Sequence, residues 1–353
     1  MQYYYNNPGG MNFQNDYYYQ LMEARTREKK ALFSNASKLG ILLLVYNFLN
    51  TIFLNVYYLL VYAYHNDNYT LSVRTAKLFL QENMQIVNSS TFSMAGNLFI
   101  ITASLLIVLV IARAAMKIEL SEMIKPRKEH AVQAAKWFPL CMTLNVAVGI
   151  IVAYFTLYMN ELGVTVPESD LSIKQPSTAA IILQISYVII IGPIAEEVLY
   201  RGIILTLLKP YGKFMAVFFS ALIFGLMHGN IAQAASAFAS ALVFGLIAVQ
   251  CNSIVPTIII HIINNMAASY LDFADVYNWA YAKEIYMAFD ILIIFIGVFI
   301  LFNWGWKLRL KNDSGYALTS SQRYATVFTN VFMMLYFAYV AFEFVRSFIY
   351  ANS

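Results

Sequence analysis

Three stretches of this chain set chemistry-bearing side chains inside apolar sequence. The first, TAAIILQISYVIIIGPIAEEVLYRGIILTLLKPYG, holds Glu196, Glu197 and Arg201. The second, FMAVFFSALIFGLMHGN, carries Phe224 and His228, and the third, SIVPTIIIHIINNMAASYL, carries His261, Asn264 and Asn265. Ionisable groups in hydrocarbon are costly and point to function by default. Glu197 and Arg201 are i and i+4, so they share a helix face and form an ion pair in the favourable order. Glu196 is turned about 100° from Glu197 on the same helix and faces a different neighbour. The spacing thus divides the two carboxylates into one structural and one chemical group.

His261 and Asn265 are also i and i+4 and project from one face. An imidazole N–H beside an amide NH₂ makes a donor pair for an oxyanion. His228 and Glu196 share the activation of a water molecule, each being able to take a proton. Phe224, one turn before His228, packs to set the ring's position. Gly192 and Pro193 predict a kink that opens the helix to water at the level of Glu196.

These groups need helices that bring them to one depth. The 353 residues are 60% hydrophobic and 12% charged, and the mean hydropathy is +0.60. Soluble domains carry about a quarter of their residues as charged ones, so the solvent of this chain is lipid. Apolar runs near residues 39–64, 93–112, 137–159, 178–208, 214–229, 231–250, 254–271, 285–306 and 324–348 predict an all-α polytopic membrane protein of about eight to nine transmembrane helices. Glu196 precedes the loop residue Lys209 by 13 residues, roughly 20 Å of helix; His228 follows Lys213 at roughly 22 Å, and His261 lies about 12 Å past Ser253. All three groups reach toward mid-membrane.

Basic residues assign the sides. Arg25, Arg27, Lys29, Lys30, Lys38, Arg113, Lys117, Lys125, Arg127, Lys128, Lys136, Lys209, Lys213, Lys307, Arg309, Lys311 and Arg323 fall on one side, and Arg74, Lys77, Lys174, Lys283 and Arg346 on the other. The positive-inside rule puts the first set, and the N-terminus, in the cytoplasm. The clusters lie in short loops that topology explains, so no nucleic-acid partner is indicated. Residues 1–36 read as a disordered Tyr/Asn-rich and basic cytoplasmic segment with no cleavable leader, and 37–353 as the membrane domain. Cys141 and Cys251, far apart in apolar sequence, read as packing residues.

The three motifs resemble those of the CPBP family, the CAAX proteases and bacteriocin-processing (Abi) enzymes, which carry EExxxR, FxxxH and HxxxN/D on separate membrane helices. They stand here as Glu196-Glu197-Val198-Leu199-Tyr200-Arg201, Phe224-Gly225-Leu226-Met227-His228 and His261-Ile262-Ile263-Asn264-Asn265, in a core at about 178–271. The resemblance implies an intramembrane endopeptidase acting on a peptide or lipidated protein, such as a prenylated or bacteriocin-like peptide. In it Glu196 and His228 activate water, His261 and Asn265 form the oxyanion hole, and Glu197 and Arg201 hold the geometry. The mechanism so implied is glutamate-dependent and uses no cofactor. Family names often include "metalloprotease", and in that alternative Glu196, His228 and His261 would ligate zinc. A bacterial plasma membrane fits the compact chain, with substrate arriving from the cytoplasm or the bilayer. A non-proteolytic scaffold or immunity protein that binds a partner helix in the same cavity is the second reading. A transporter is third, because neither internal repeats nor matched broken helices are evident. Oligomeric state is not legible.

Overall fold

The computed structural model describes residues 13–66, 68–167, 173, 176–310 and 314–353. Nine helices carry the architecture: α1 (Phe13–Asn66), α2 (Ser90–Met116), α3 (Lys128–Glu161), α4 (Thr178–Tyr211), α5 (Lys213–Leu226), α6 (Ile231–Cys251), α7 (Val255–Ala268), α8 (Ala282–Trp304) and α9 (Val331–Ala351). Among the described residues, seven helices are long and apolar enough to cross a membrane. The chain is an all-α membrane protein. The two remaining helices, α5 and α7, have 14 residues each, about 21 Å at 1.5 Å per residue. Both are shorter than the runs at 214–229 and 254–271 suggested. They carry the second and third motifs and pack within the bundle.

The elements follow from their sequences. Around α5 the packing is tight enough to demand glycine: a Cβ on Gly225 would lie 2.8 Å from the Ala234 carbonyl oxygen. Small residues let helices in lipid approach this closely, and here the approach brings α5 onto α6 beside the second motif. One apolar core joins Leu39 and Leu43 of α1, Leu199 and Ile203 of α4, and Phe219 and Ile223 of α5. A second joins Trp137 of α3, Phe244 and Ile247 of α6, Ile260 of α7 and Ile300 of α8. Cys141 is buried in this second core and Cys251 packs against it, both as free thiols.

Two expectations change. The polar N-terminal segment is helical from Phe13 into the first span; residues 1–12, like Lys174 and Lys311, lie outside the described residues. Glu23 and Arg27 pair on its exposed face at 2.9 Å, and docking holds the helix in place. The Glu28 carboxylate accepts from the Ala317 amide at 2.6 Å, while Arg25 Nε donates to the Ala317 carbonyl at 3.1 Å. The run at 324–348 is also divided. A short helix, Ser320–Phe328, ends before Asn330, whose Oδ1 accepts from the Phe332 and Met333 amides at 3.1 and 3.3 Å and starts α9.

Hydrogen bonds between loops define the two ends of the bundle. At one end Ser253 Oγ donates to the Met123 carbonyl at 2.8 Å, Lys209 Nζ to Asn252 Oδ1 at 3.0 Å, and Gln250 Nε2 to the Lys307 carbonyl at 2.7 Å. Arg323 Nη1 joins the same end through the Tyr211 carbonyl at 2.6 Å. At the other, the Asn352 side chain exchanges two hydrogen bonds with the Thr165 backbone, at 2.8 and 2.9 Å.

Candidate active site

The first motif lies on a helix whose geometry changes around it. Gly192–Glu197 is α-helical, but Ile185–Ile191 before it and Val198–Ile204 after it are π-helical. Such wide turns commonly sit at functional sites. Pro193 explains the first. Gly192 N–H donates back to the Tyr187 carbonyl, five residues away, and the next donor in that ladder would be Pro193, which has no N–H. The Val188 carbonyl is therefore left open, and Asn265 Nδ2 from α7 fills it at 2.8 Å. Only glycine fits at 192, because a Cβ would stand 2.6 Å from the Tyr187 oxygen. In the second wide turn the Tyr200 carbonyl takes a bond from Ser220 Oγ of α5 at 2.8 Å. The kink expected at Gly192-Pro193 is thus a pair of wide turns pinned from neighbouring helices.

Glu197 and Arg201 form the expected pair at 2.7 Å, both 0% exposed. The same carboxylate oxygen, Glu197 Oε1, meets His261 Nδ1 at 3.0 Å. Arg201 also lies between two rings, its Cζ 4.6 Å from the Phe224 centroid and 5.2 Å from that of Phe244, so cation–π attraction supplements the ion pair. Phe224 additionally meets Tyr200, His228 and His261 at 5.0, 5.2 and 5.9 Å between centroids. It packs as expected, and it touches residues from all three motif segments.

Glu196 has the opposite environment. Its side chain is 20% exposed, and its ion-pair contact is His261 Nε2 at 3.5 Å. The imidazole of His261 therefore bridges the two carboxylates, Nδ1 toward Glu197 and Nε2 toward Glu196. The sequence expectation paired Glu196 with His228 and His261 with Asn265. In this structure Glu196 contacts His261, and no hydrogen bond joins Glu196 to His228 among the described residues.

His228 lies in the tight turn that follows α5. Gly229 has φ +69°, the left-handed conformation that terminates helices, and the Asn230 side chain caps α6 through the Gln233 amide at 2.9 Å. His228 Nδ1 donates to the Phe224 carbonyl at 2.9 Å, which leaves Nε2 as the acceptor. Both histidines, Asn264 and Asn265 line a cavity of about 490 Å³ between α3, α5, α6 and α7. Glu196 is not among its lining residues and reaches it by way of His261.

Asn265 ends a row of amides. Asn145 Nδ2 of α3 donates to Asn264 Oδ1 at 3.1 Å, Asn264 Nδ2 to Asn265 Oδ1 at 3.3 Å, and Asn265 Nδ2 to the Val188 carbonyl. An amide nitrogen carries two donors, so one N–H of Asn265 stays available to the cavity. Sequence reasoning passed over Asn145 and Phe244. An asparagine in mid-span was a visible signal for the first; the second is one apolar residue among many.

Zinc would need Glu196, His228 and His261 to converge. Both His261 nitrogens face carboxylates, and among the described residues no group of three His, Cys, Asp or Glu side chains is placed to hold an ion.

Compared with known families, residues 178–267 match the model described as type II CAAX prenyl endopeptidase Rce1-like. The match spans all three motifs and agrees with the CPBP resemblance. No curated protein and no solved structure matches the chain.

Proposed function

From a chain whose residues 178–267 form a type II CAAX prenyl endopeptidase-like core, we propose an intramembrane endopeptidase in which Glu196 is the general base. One contrast carries the reading: adjacent carboxylates, one held out of solvent by Arg201 and His261, the other partly exposed with His261 as its ion-pair contact at 3.5 Å. Glu197 is occupied by Arg201 and His261 away from solvent, whereas Glu196 keeps an open approach.

In the reaction, Glu196 removes a proton from water as the oxygen adds to the scissile carbonyl carbon. His228 Nε2 accepts a hydrogen bond from the same water and orients it. The tetrahedral oxyanion is met by the unused Asn265 N–H, while His261, anchored on Glu197 through Nδ1, stands against Glu196 through Nε2 and positions the base. Collapse breaks the C–N bond, and the proton held by Glu196 passes to the departing amine. No step is routed through a metal. The substrate is a membrane-associated peptide or lipid-anchored protein, prenylated or bacteriocin-like, and the bacterial plasma membrane is the proposed location, with the N-terminus in the cytoplasm.

The test is N-terminal peptide profiling of cells carrying the wild-type protein or Glu196→Gln at matched expression. New N-termini near membrane-anchored segments are expected to vanish in the variant. Identical profiles alongside a persisting wild-type phenotype would favour the scaffold reading, in which the cavity holds a partner helix uncut.

A further inference from the structure

The cavity has a direction. From the motif residues it extends along Gly149, Ala153 and Thr156 of α3 and along Ser236 and Gln233 of α6. These positions climb toward Glu161 on α3 and toward Ile231 on α6. They lead away from the end where Met123, Ser253, Asn252 and Lys307 are joined, and toward the end where Thr165 meets Asn352. The first end bears the basic loops and the second is poor in basic residues, so the positive-inside rule makes the second extracytoplasmic.

The walls point to a type of ligand. The described lining residues include no Asp, Glu, Lys or Arg. Amide and hydroxyl side chains, those of Asn145, Gln233, Ser236, Asn264 and Asn265, line it instead, and such groups pair with the N–H and C=O of a peptide backbone.

Resting on the peptidase reading above, we propose that the substrate is an uncharged, extended peptide segment that enters from the extracytoplasmic side and lies between α3 and α6. The sequence alone pointed to approach from the cytoplasm or the bilayer.

The experiment uses full-length protein with Cys251→Ser, the buried Cys141 being retained. Gln233→Cys, and separately Ala153→Cys, report on the mouth, and Glu122→Cys on the basic end. A membrane-impermeant sulfonated maleimide is added to intact cells. The mouth cysteines are expected to label in intact cells and Glu122→Cys only after permeabilisation. Labelling is also expected to remove the Glu196-dependent N-termini by blocking the channel. Mouth cysteines that label only after permeabilisation would overturn the proposed route while leaving the peptidase reading intact. If the mouth labels from outside but no Glu196-dependent N-termini exist, the peptidase reading fails instead, and the peptide assignment with it.

Discussion

Glu196 and Glu197 are chain neighbours with different physical fates, and substitution separates them. Replacing Glu197 by Gln strips Arg201 of its counter-charge where both are 0% exposed. Removing one partner of a buried pair costs about 3–5 kcal/mol, so thermal unfolding of Glu197→Gln in detergent is expected well below the wild-type temperature. Glu196→Gln is expected to unfold near the wild-type temperature while cleavage falls by about 10²–10⁴-fold. The opposite order of stabilities would remove the division of labour. The Glu197–Arg201 pair was legible in the sequence, because i,i+4 spacing placed Arg201 on the Glu197 side. The position of His261 was not. It depends on where α7 lies against α4, and no local spacing encodes that distance.

At the scale of elements, the wide turns of α4 are the device that presents the first motif. Gly192→Ala forces a Cβ into the Tyr187 carbonyl at 2.6 Å. Overpacking of this kind costs about 1–3 kcal/mol, and a lowered unfolding temperature together with reduced cleavage is expected. Unchanged values for both would show that the close approach does not matter. The amide row from α3 makes a finer prediction. Asn145→Leu removes the donor to Asn264 Oδ1, and a neutral hydrogen bond is worth about 0.5–1.5 kcal/mol. A loss of roughly three- to tenfold in kcat with KM nearly unchanged is expected, partly restored by Asn145→Gln. An unaltered kcat would confine Asn145 to packing. The sequence announced a break at Gly192-Pro193, since a missing N–H is a local property. It did not announce Asn265 as the group that repairs the break, because the open Val188 carbonyl exists only once α4 and α7 are packed.

For the whole molecule, apolar run length and loop charge carried most of what could be read. The helices follow the runs closely, since about 30 Å of hydrocarbon sets their length. The exceptions were decided by tertiary contacts. Residues 13–36 are polar enough to suggest a tail, yet Glu28 and Arg25 fasten that helix to the loop at Ala317. The short α5 and α7 lie within the bundle, where spanning length is not required of them. The cavity shows the same limit: loop charge distinguishes the two ends of the bundle, but the end toward which the cavity extends required the packed helices.

Everything above turns on whether Glu196 drives hydrolysis of a peptide bond. The most direct measurement takes a peptide identified by N-terminal profiling and incubates it with purified protein in vesicles in ¹⁸O-labelled water. Wild-type cleavage is expected to place one ¹⁸O in the new carboxyl group, unchanged by a metal chelator, with none above background for Glu196→Gln. An intact peptide with wild-type protein, or equal cleavage by Glu196→Gln, would contradict it.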